Sequence, residues 1–318
     1  MHDSGIVTAA QTDSSSPTSE ELTIRPGCPE DVPALRQIFF GIYGENYPYP
    51  PTVATVCPAR GYFLTAEVEE EVIGCAGGYG QPPDGYRWTE WGRLVVSPDL
   101  RYRGRGYGHA LNCARAARLI QGEVALSETV CNVTTNQLML KRMGFQALGI
   151  CVLRYPGILP DKLGTQPESV LMNFLWQDGE FGGLGTRRLF LPEDWVEGLS
   201  LVLPCDRLQD ALKARNGATH GQRIWEHAPF RDQAEELQGC AMVDIVVNHP
   251  SAPEAIAWMR SCGYRLAGFM PGVEDATVGR ADRVRLYRVP DGTEIDWSLI
   301  KVLSQLVNFK AWMAGQAR

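Results

Sequence analysis

Val95-Val96-Ser97-Pro98-Asp99-Leu100-Arg101-Tyr102-Arg103-Gly104-Arg105-Gly106-Tyr107-Gly108 leaves an apolar, strand-like run and enters a segment whose apolar residues, Ala110, Leu111, Ala114, Ala117 and Leu119, fall at helical spacing. Glycines at 104, 106 and 108 let backbone approach a bulky anion closely, and the N–H groups that open the helix then point at it. Three arginines, 101, 103 and 105, flank those glycines and add charge for a phosphate or pyrophosphate. A dinucleotide-binding fingerprint would place such a turn after the first strand, with an acidic residue about 20 positions on, whereas this turn follows the fourth expected strand. A P-loop would need Gly-Lys-Ser/Thr, which is absent. The remaining alternative is a tight strand-to-helix turn with no ligand.

Upstream, Leu22 to Arg25 reads as a short strand, and Pro29, Glu30 and Asp31 open a helix with Val32, Leu35, Ile38 and Phe39 on one side. Phe63 to Glu69 and Val72 to Tyr79 form a hairpin turned through the acidic stretch 69–71, and Arg87 to Val96 is a further strand. Downstream come a strand over Ala125 to Val133 and a helix over Asn136 to Met143. Gly144 sits where a left-handed C-terminal cap belongs, and strands follow over Phe145 to Tyr155 and Val170 to Trp176. The four glycines in Gln177 to Gly185 make a natural linker.

A similar ending recurs further along: a strand over Ala241 to Asn248, a helix over Ala252 to Cys262, the step Gly263-Tyr264 in place of Gly144-Phe145, then strands over Arg265 to Met270 and Arg283 to Val289. Such self-similarity points to tandem duplication. Asp296 to Met313 is expected as one closing helix. The expected division is therefore a disordered tail over 1–21, rich in Ser, Thr, Asp and Gln, a first domain over 22–177, a linker over 178–185 and a second, smaller domain over 186–318.

Composition narrows the function classes. Thirty basic residues against thirty-seven acidic give a net charge of −7 without a broad basic face, which argues against a nucleic-acid partner. No apolar run approaches the roughly 20 residues that span a bilayer, and no basic-then-apolar leader opens the chain, so no membrane partner and a cytoplasmic location are expected. Nine cysteines without a C-x-x-C pair predict reduced, mostly buried thiols rather than zinc or disulfides, and His220, His227 and His249 are too scattered for a metal site. No metal is expected.

The quoted stretch resembles the acyl-CoA signature of the GNAT acetyltransferase superfamily, arginine or glutamine, two residues, glycine, one residue, glycine or alanine, with Arg103, Gly106 and Gly108 in register. The first strand and helix, the hairpin, the strand end at Val95 to Pro98 and the Gly144-Phe145 step are also similar, so the likeness covers about 22–177. It implies an α/β (α+β) GNAT fold, a mixed, splayed central sheet flanked by helices, followed by a second, degenerate GNAT-like domain that lacks the signature. It further implies acetyl-CoA or another acyl-CoA as co-substrate, with Leu94, Val95 and Val96 offering backbone hydrogen bonds to pantetheine and amides within Arg103, Gly104, Arg105, Gly106, Tyr107 and Gly108 holding the pyrophosphate.

The family reaction is direct attack of an amine on the thioester, which needs a base, a polarised carbonyl and an acid for the leaving thiolate. Glu90, on the strand leading into the loop, is the candidate base, with an exposed carboxylate paired to Arg87 or Arg93 as the plain alternative. Strict alternation puts Glu90, Gly92 and Leu94 on one face and Trp91, Arg93 and Val95 on the other. Where relatives commonly keep an acidic tyrosine, four residues before the helix-closing glycine, this chain has Leu140. Asn136 can contact pantetheine, although Thr134, Thr135 or Asn136 could equally cap the helix.

For the acceptor, Tyr43, Glu45 and Tyr47 offer an aromatic wall with a carboxylate, suited to a cationic amine, whereas Tyr49 reads more as loop packing. The leading expectation is an acyl-CoA-dependent N-acyltransferase, most simply an acetyltransferase, acting on a small-molecule amine. The alternatives are a catalytically weak acyl-CoA-binding or sensing protein, and a GNAT domain turned to other thioester chemistry such as decarboxylation. Oligomeric state, homodimer included, stays open.

Overall fold

The computed structural model describes residues 21–80, 88–119, 123–155, 167–176, 189–203, 241–275, 279–290 and 292–316. The expected tail over 1–21 (Glu21 apart), the linker over 178–185, Arg87, His220 and His227 lie outside the described residues.

The chain opens with β1 (Leu22–Pro26), a 3-10 turn over Pro29–Asp31 and α1 (Val32–Tyr43), then α2 (Val53–Val56), β2 (Tyr62–Val68), β3 (Glu71–Gly80) and β4 (Trp88–Val96). It continues through α3 (Tyr107–Ala116), β5 (Val124–Val130), α4 (Thr134–Arg142), β6 (Gln146–Tyr155) and β7 (Glu168–Trp176). After α5 (Glu193–Ser200) come β8 (Ala241–Val246), α6 (Ala252–Ser261), β9 (Arg265–Asp275), β10 (Gly279–Arg288) and α7 (Val307–Gln316).

All ten strands form one mixed sheet in the order β1-β2-β3-β4-β5-β7-β6-β9-β10-β8. Among the described residues only β4 and β5 pair in parallel, over Trp88, Thr89 and Glu90 against Val124, Ala125 and Leu126. Past Glu90 the two strands part. The cause lies in β4 itself: between the pairs Gly77↔Gly92 and Cys75↔Val95, two residues of β4 face one of β3, and Arg93 takes the left-handed φ of 53°. A bulge of this kind bends and twists its strand out of register with the next.

The same bulge corrects the expected alternation. Beyond it Leu94 and Val96 pack with Tyr102, Tyr107 and Leu111 beneath α3, whereas Val95 packs with Phe39, Phe63 and Cys75 beneath α1. Leu94 is therefore on the face opposite Glu90 and Gly92, because the extra residue shifts every later side chain by one.

The second half of the sheet is palindromic. The order β5-β7-β6 is answered by β9-β10-β8, and each set carries its helix and glycine step. Gly144 and Gly263 both take a left-handed φ, 91° and 86°, and the next amide in each case reaches back to the helix, Phe145 N to Leu140 O and Tyr264 N to Met259 O, both 3.0 Å. These are matching C-terminal caps. The two sets meet at Gly149↔Gly268, the one registered pair between β6 and β9. A Cβ on either glycine would fall 2.5–2.6 Å from the other's Cα, so the two backbones touch where any side chain would hold them apart.

One apolar core runs through both sets, from Leu126, Ile150 and Phe174 to Ile245, Phe269 and Leu286. Arg285 of β10 bonds Glu128 of β5 at 3.1 Å, although four strand spacings of about 4.8 Å would separate them in a flat sheet. The six strands therefore curl around their shared interior.

Two further expectations are corrected. Asp296 to Met313 is not a single helix: short 3-10 turns at Trp297–Leu299 and Ser304–Leu306 precede α7. The intervening backbone is held instead by the first half, with Lys301 N donating to Cys131 O at 2.7 Å and Gln137 Nε2 to Lys301 O at 3.0 Å. Of the seven described cysteines, all free, only Cys75, Cys131 and Cys151 are buried, so the thiols are not mostly buried among these. No helix among the described residues is long and apolar enough to cross a membrane.

Candidate active site

Where β4 and β5 part, a cavity of about 610 Å³ opens. One wall is aromatic, built by Phe39 and Tyr43 of α1 with Tyr47 and Tyr49 from the loop behind it. Tyr43 and Tyr47 stack at 4.7 Å, and Phe39 and Tyr49 close on them at 5.6–5.9 Å. Burial raises the hydroxyl pKa of Tyr43, Tyr47 and, on β3, Tyr79, which also lines the cavity, so all three stay protonated near neutrality. Glu45 is exposed and lines nothing here; Tyr49, read from the sequence as packing, does.

The opposite wall is the splayed part of the sheet at the bulge, to which both faces contribute: Glu90, Gly92, Leu94 and Val95 from β4 and Ser127, Glu128 and Thr129 from β5. On its free side, β4 from Leu94 to Val96 presents backbone groups with no registered β5 partner. Asn136, in the first turn of α4, lines the cavity with its Oδ1 buried and without a partner. It does not cap its helix: the N-cap position is Val133, with no side-chain cap bond, so the expected cap by Thr134, Thr135 or Asn136 is corrected. Leu140 is fully buried against Trp91 and Phe145, and the α4 position where an acid was sought is core.

Arg115 holds the bulge from below. It is buried, donates to Gly77 O at 3.1 Å and Gly92 O at 3.2 Å, bonds Asn112, and lies 4.4 Å over the Trp91 ring. Burial pulls its pKa down to about 10, so it is charged at neutral pH. Its guanidinium satisfies strand carbonyls at the bulge, a role that its place in an ordinary helical stretch does not reveal.

The glycine turn lies at the end of the same strand. Gly104 and Gly106 take φ of 75° and 82°, and a Cβ on either would meet nothing within 4 Å, so their surroundings are open. Gly106 is the left-handed N-cap of α3 and supplies no side chain to cap it, which leaves the amides of the first helical turn to a ligand or to water. Arg103 and Arg105 are exposed beside them, and Tyr107 turns inward to pack with Tyr102. The residues fit a diphosphate.

Glu128 went unremarked in the sequence. It is only 7% exposed, on a strand otherwise made of Val, Ala, Leu, Ser and Thr, and it pairs with Arg285 Nη1 at 3.1 Å and Arg154 Nε at 3.6 Å. An acidic residue amid such a strand is the one signal that could have marked it. Among the described residues no group of three or more His, Cys, Asp or Glu is arranged to hold a metal ion; His249 bonds Ser251.

Among solved structures, the ribosomal-protein-S18-alanine N-acetyltransferase of Escherichia coli is 16% identical over 48% of this chain and 92% of that one, with a TM-score of 0.39. A ribosomal-protein-alanine N-acetyltransferase from Brucella melitensis is 19% identical over 48% and 98%, TM-score 0.37. A chimera of the Vibrio cholerae spermidine N-acetyltransferase and hSSAT is 14% identical over 50% and 97%, TM-score 0.40. A search of curated protein sequences gives no match. Residues 32–145 match the acetyltransferase (GNAT) family model, from the start of α1 to the end of the α4 cap. Over residues 32–145 the chain is thus similar to the acetyltransferase (GNAT) family.

Proposed function

We propose that this protein transfers an acyl group, most simply acetyl, from coenzyme A to the amine of a small molecule by direct attack. The observation that carries the reading is the cavity at the parting of β4 and β5, with Glu90 on its wall and the glycine turn at the end of the same strand. In this reading the amides of 104–108 hold the pyrophosphate, with Arg103 and Arg105 at its side. The Leu94–Val96 edge and Asn136 meet pantetheine, and Tyr43 and Tyr47 enclose the acceptor. Glu90 takes the ammonium proton, directly or through water. The amine nitrogen bonds to the thioester carbon and gives its second proton to solvent, the C–S bond breaks, and the thiolate takes a proton from solvent, since Leu140 has none to give. The same reading makes 22–177 the catalytic domain and 186–318, beyond a linker at 178–185, a degenerate copy that completes the sheet beyond β6. Glu45 has no part in it.

Leu140 also favours a second reading, an acyl-CoA-binding protein that turns over slowly. Titrating the full chain with acetyl-CoA by calorimetry, then assaying free thiol against a panel of amines, separates the two. Binding with thiol release is expected; binding without release supports the sensor, and absence of binding refutes both.

A further inference from the structure

The acceptor cavity and the C-terminal half meet at one carboxylate. Glu90 stands in register with Leu126, and Glu128, two residues on, returns to the same face of the sheet. Two residues along the strand and one strand across, the backbones of Glu90 and Glu128 are about 8 Å apart. The two carboxylates thus line one cavity under one aromatic wall.

A carboxylate this buried is costly unless it is paired and oriented. Its orientation comes from 157 residues away. Arg285 spends Nε and Nη2 on the two oxygens of Asp244, at 2.8 and 2.9 Å, and that bidentate grip aims Nη1 at Glu128 Oε1. Arg154 stands by Glu128 Oε2. Asp244 occupies on β8 the place that Glu128 occupies on β5: Asp244 is paired with Arg285 and Glu128 with Met172, the equivalent positions of β10 and β7. The arginine that substitutes for Met172 in the second set therefore links both carboxylates. Each carboxylate oxygen can accept more than one hydrogen bond, so Glu128 can serve Arg285 and a ligand together.

We infer that Glu128 is a second acceptor-binding residue, accepting a hydrogen bond from an amine or hydroxyl a few atoms from the nucleophilic nitrogen, and that Arg285 of the C-terminal half positions it. The inference rests on the acyl-transfer reading of the cavity.

The test uses full-length protein as wild type, Glu128→Gln and Arg285→Lys, with n-butylamine, 4-amino-1-butanol and 1,4-diaminobutane as probes. Each amine is titrated calorimetrically with and without acetyl-CoA, and thiol release is followed in parallel. A hydrogen bond to a charged group should favour the two donor-bearing amines over butylamine by about 10-fold or more in the wild type. Glu128→Gln should shrink that ratio several-fold. Arg285→Lys should shrink it as well while leaving acetyl-CoA affinity in place, because an ammonium can stay with Asp244 but cannot grip both carboxylates. The ratio of two amines on one preparation does not depend on how much of a variant is folded. No discrimination in the wild type, or an unchanged ratio in Glu128→Gln, overturns the inference and leaves Glu128 an ion-pair partner only; an unchanged ratio in Arg285→Lys overturns the role of Arg285. Discrimination in binding without thiol release refutes the transfer chemistry but not the second carboxylate, and thiol release without discrimination does the reverse.

Discussion

Replacing Gly268 by alanine tests how the two halves of the sheet are joined. The new Cβ would lie 2.5 Å from Gly149 Cα and from Leu148 O, where ordinary contact begins near 3.4 Å, so β6 and β9 must open by about 1 Å. The obstacle is backbone on both sides and cannot rotate away; only the Met172 methyl, also at 2.5 Å, can yield. Overpacking costs about 1–3 kcal/mol, and this geometry belongs at the upper end. Gly149→Ala meets the same obstacle from the other strand, at 2.5 Å from Ala267 O, and should cost about as much. The double variant distinguishes this account from a plain loss of glycine. One opening of the strands accommodates both methyls, so the pair should cost about 3–4 kcal/mol rather than the sum, a coupling of about 2 kcal/mol. Urea unfolding followed by circular dichroism measures all three. Single variants within about 0.5 kcal/mol of wild type, or strict additivity in the pair, would refute the close approach of the backbones.

Gly106→Val puts a β-branched residue at φ 82° in the diphosphate turn and should weaken acetyl-CoA binding at least about 10-fold by calorimetry; equal affinity removes the turn from the site. Glu90→Gln should lower kcat by about 100-fold or more with acetyl-CoA affinity nearly intact, and an unchanged kcat excludes Glu90 as the base. Asp31 is buried among Arg25, Thr65 and the Cys28 amide; burial alone would raise its carboxyl pKa, yet these partners hold it below the usual value. Its folded pKa is depressed, so its contribution is present above about pH 4 and lost as pH falls further. Asp31→Asn should therefore cost about 3 kcal/mol at pH 7, and the gap from wild type should narrow below pH 4 in urea titrations; a gap independent of pH would contradict the assignment.

The order of elements was legible because its signals are local. Glycines 104, 106 and 144 stand where backbone must turn left-handed, and the Gly263-Tyr264 step repeats one of them in plain view. The β4 bulge was not legible, since its left-handed residue is Arg93, a type that gives no hint of that conformation, and one such residue moved Leu94 to the other face. The closing segment misled for a related reason. Residues 296–306 carry enough apolar side chains to look helical, but Lys301 finds its backbone partners at Cys131 and Gln137, far off in sequence. Of the candidate site, the strand, turn and tyrosines were readable as a chain of neighbours. Arg115 and Glu128 were not, because each matters through partners on other elements: Gly77 and Gly92 for the first, Arg154 and Arg285 for the second.

The pairing of β6 with β9 has a bearing on how the protein can be handled. Strand β6 carries Leu148, Ile150, Cys151 and Val152, all fully buried, and its outer side is covered by the second set of strands. A chain ending at residue 177 would present that side to water as a bare, apolar edge, the kind that recruits another copy. Such a fragment is expected to self-associate during sedimentation, and a monomeric one would count against this view. The C-terminal half thus acts as a built-in guard for its neighbour's edge, which leaves the two halves inseparable whatever either contributes to catalysis.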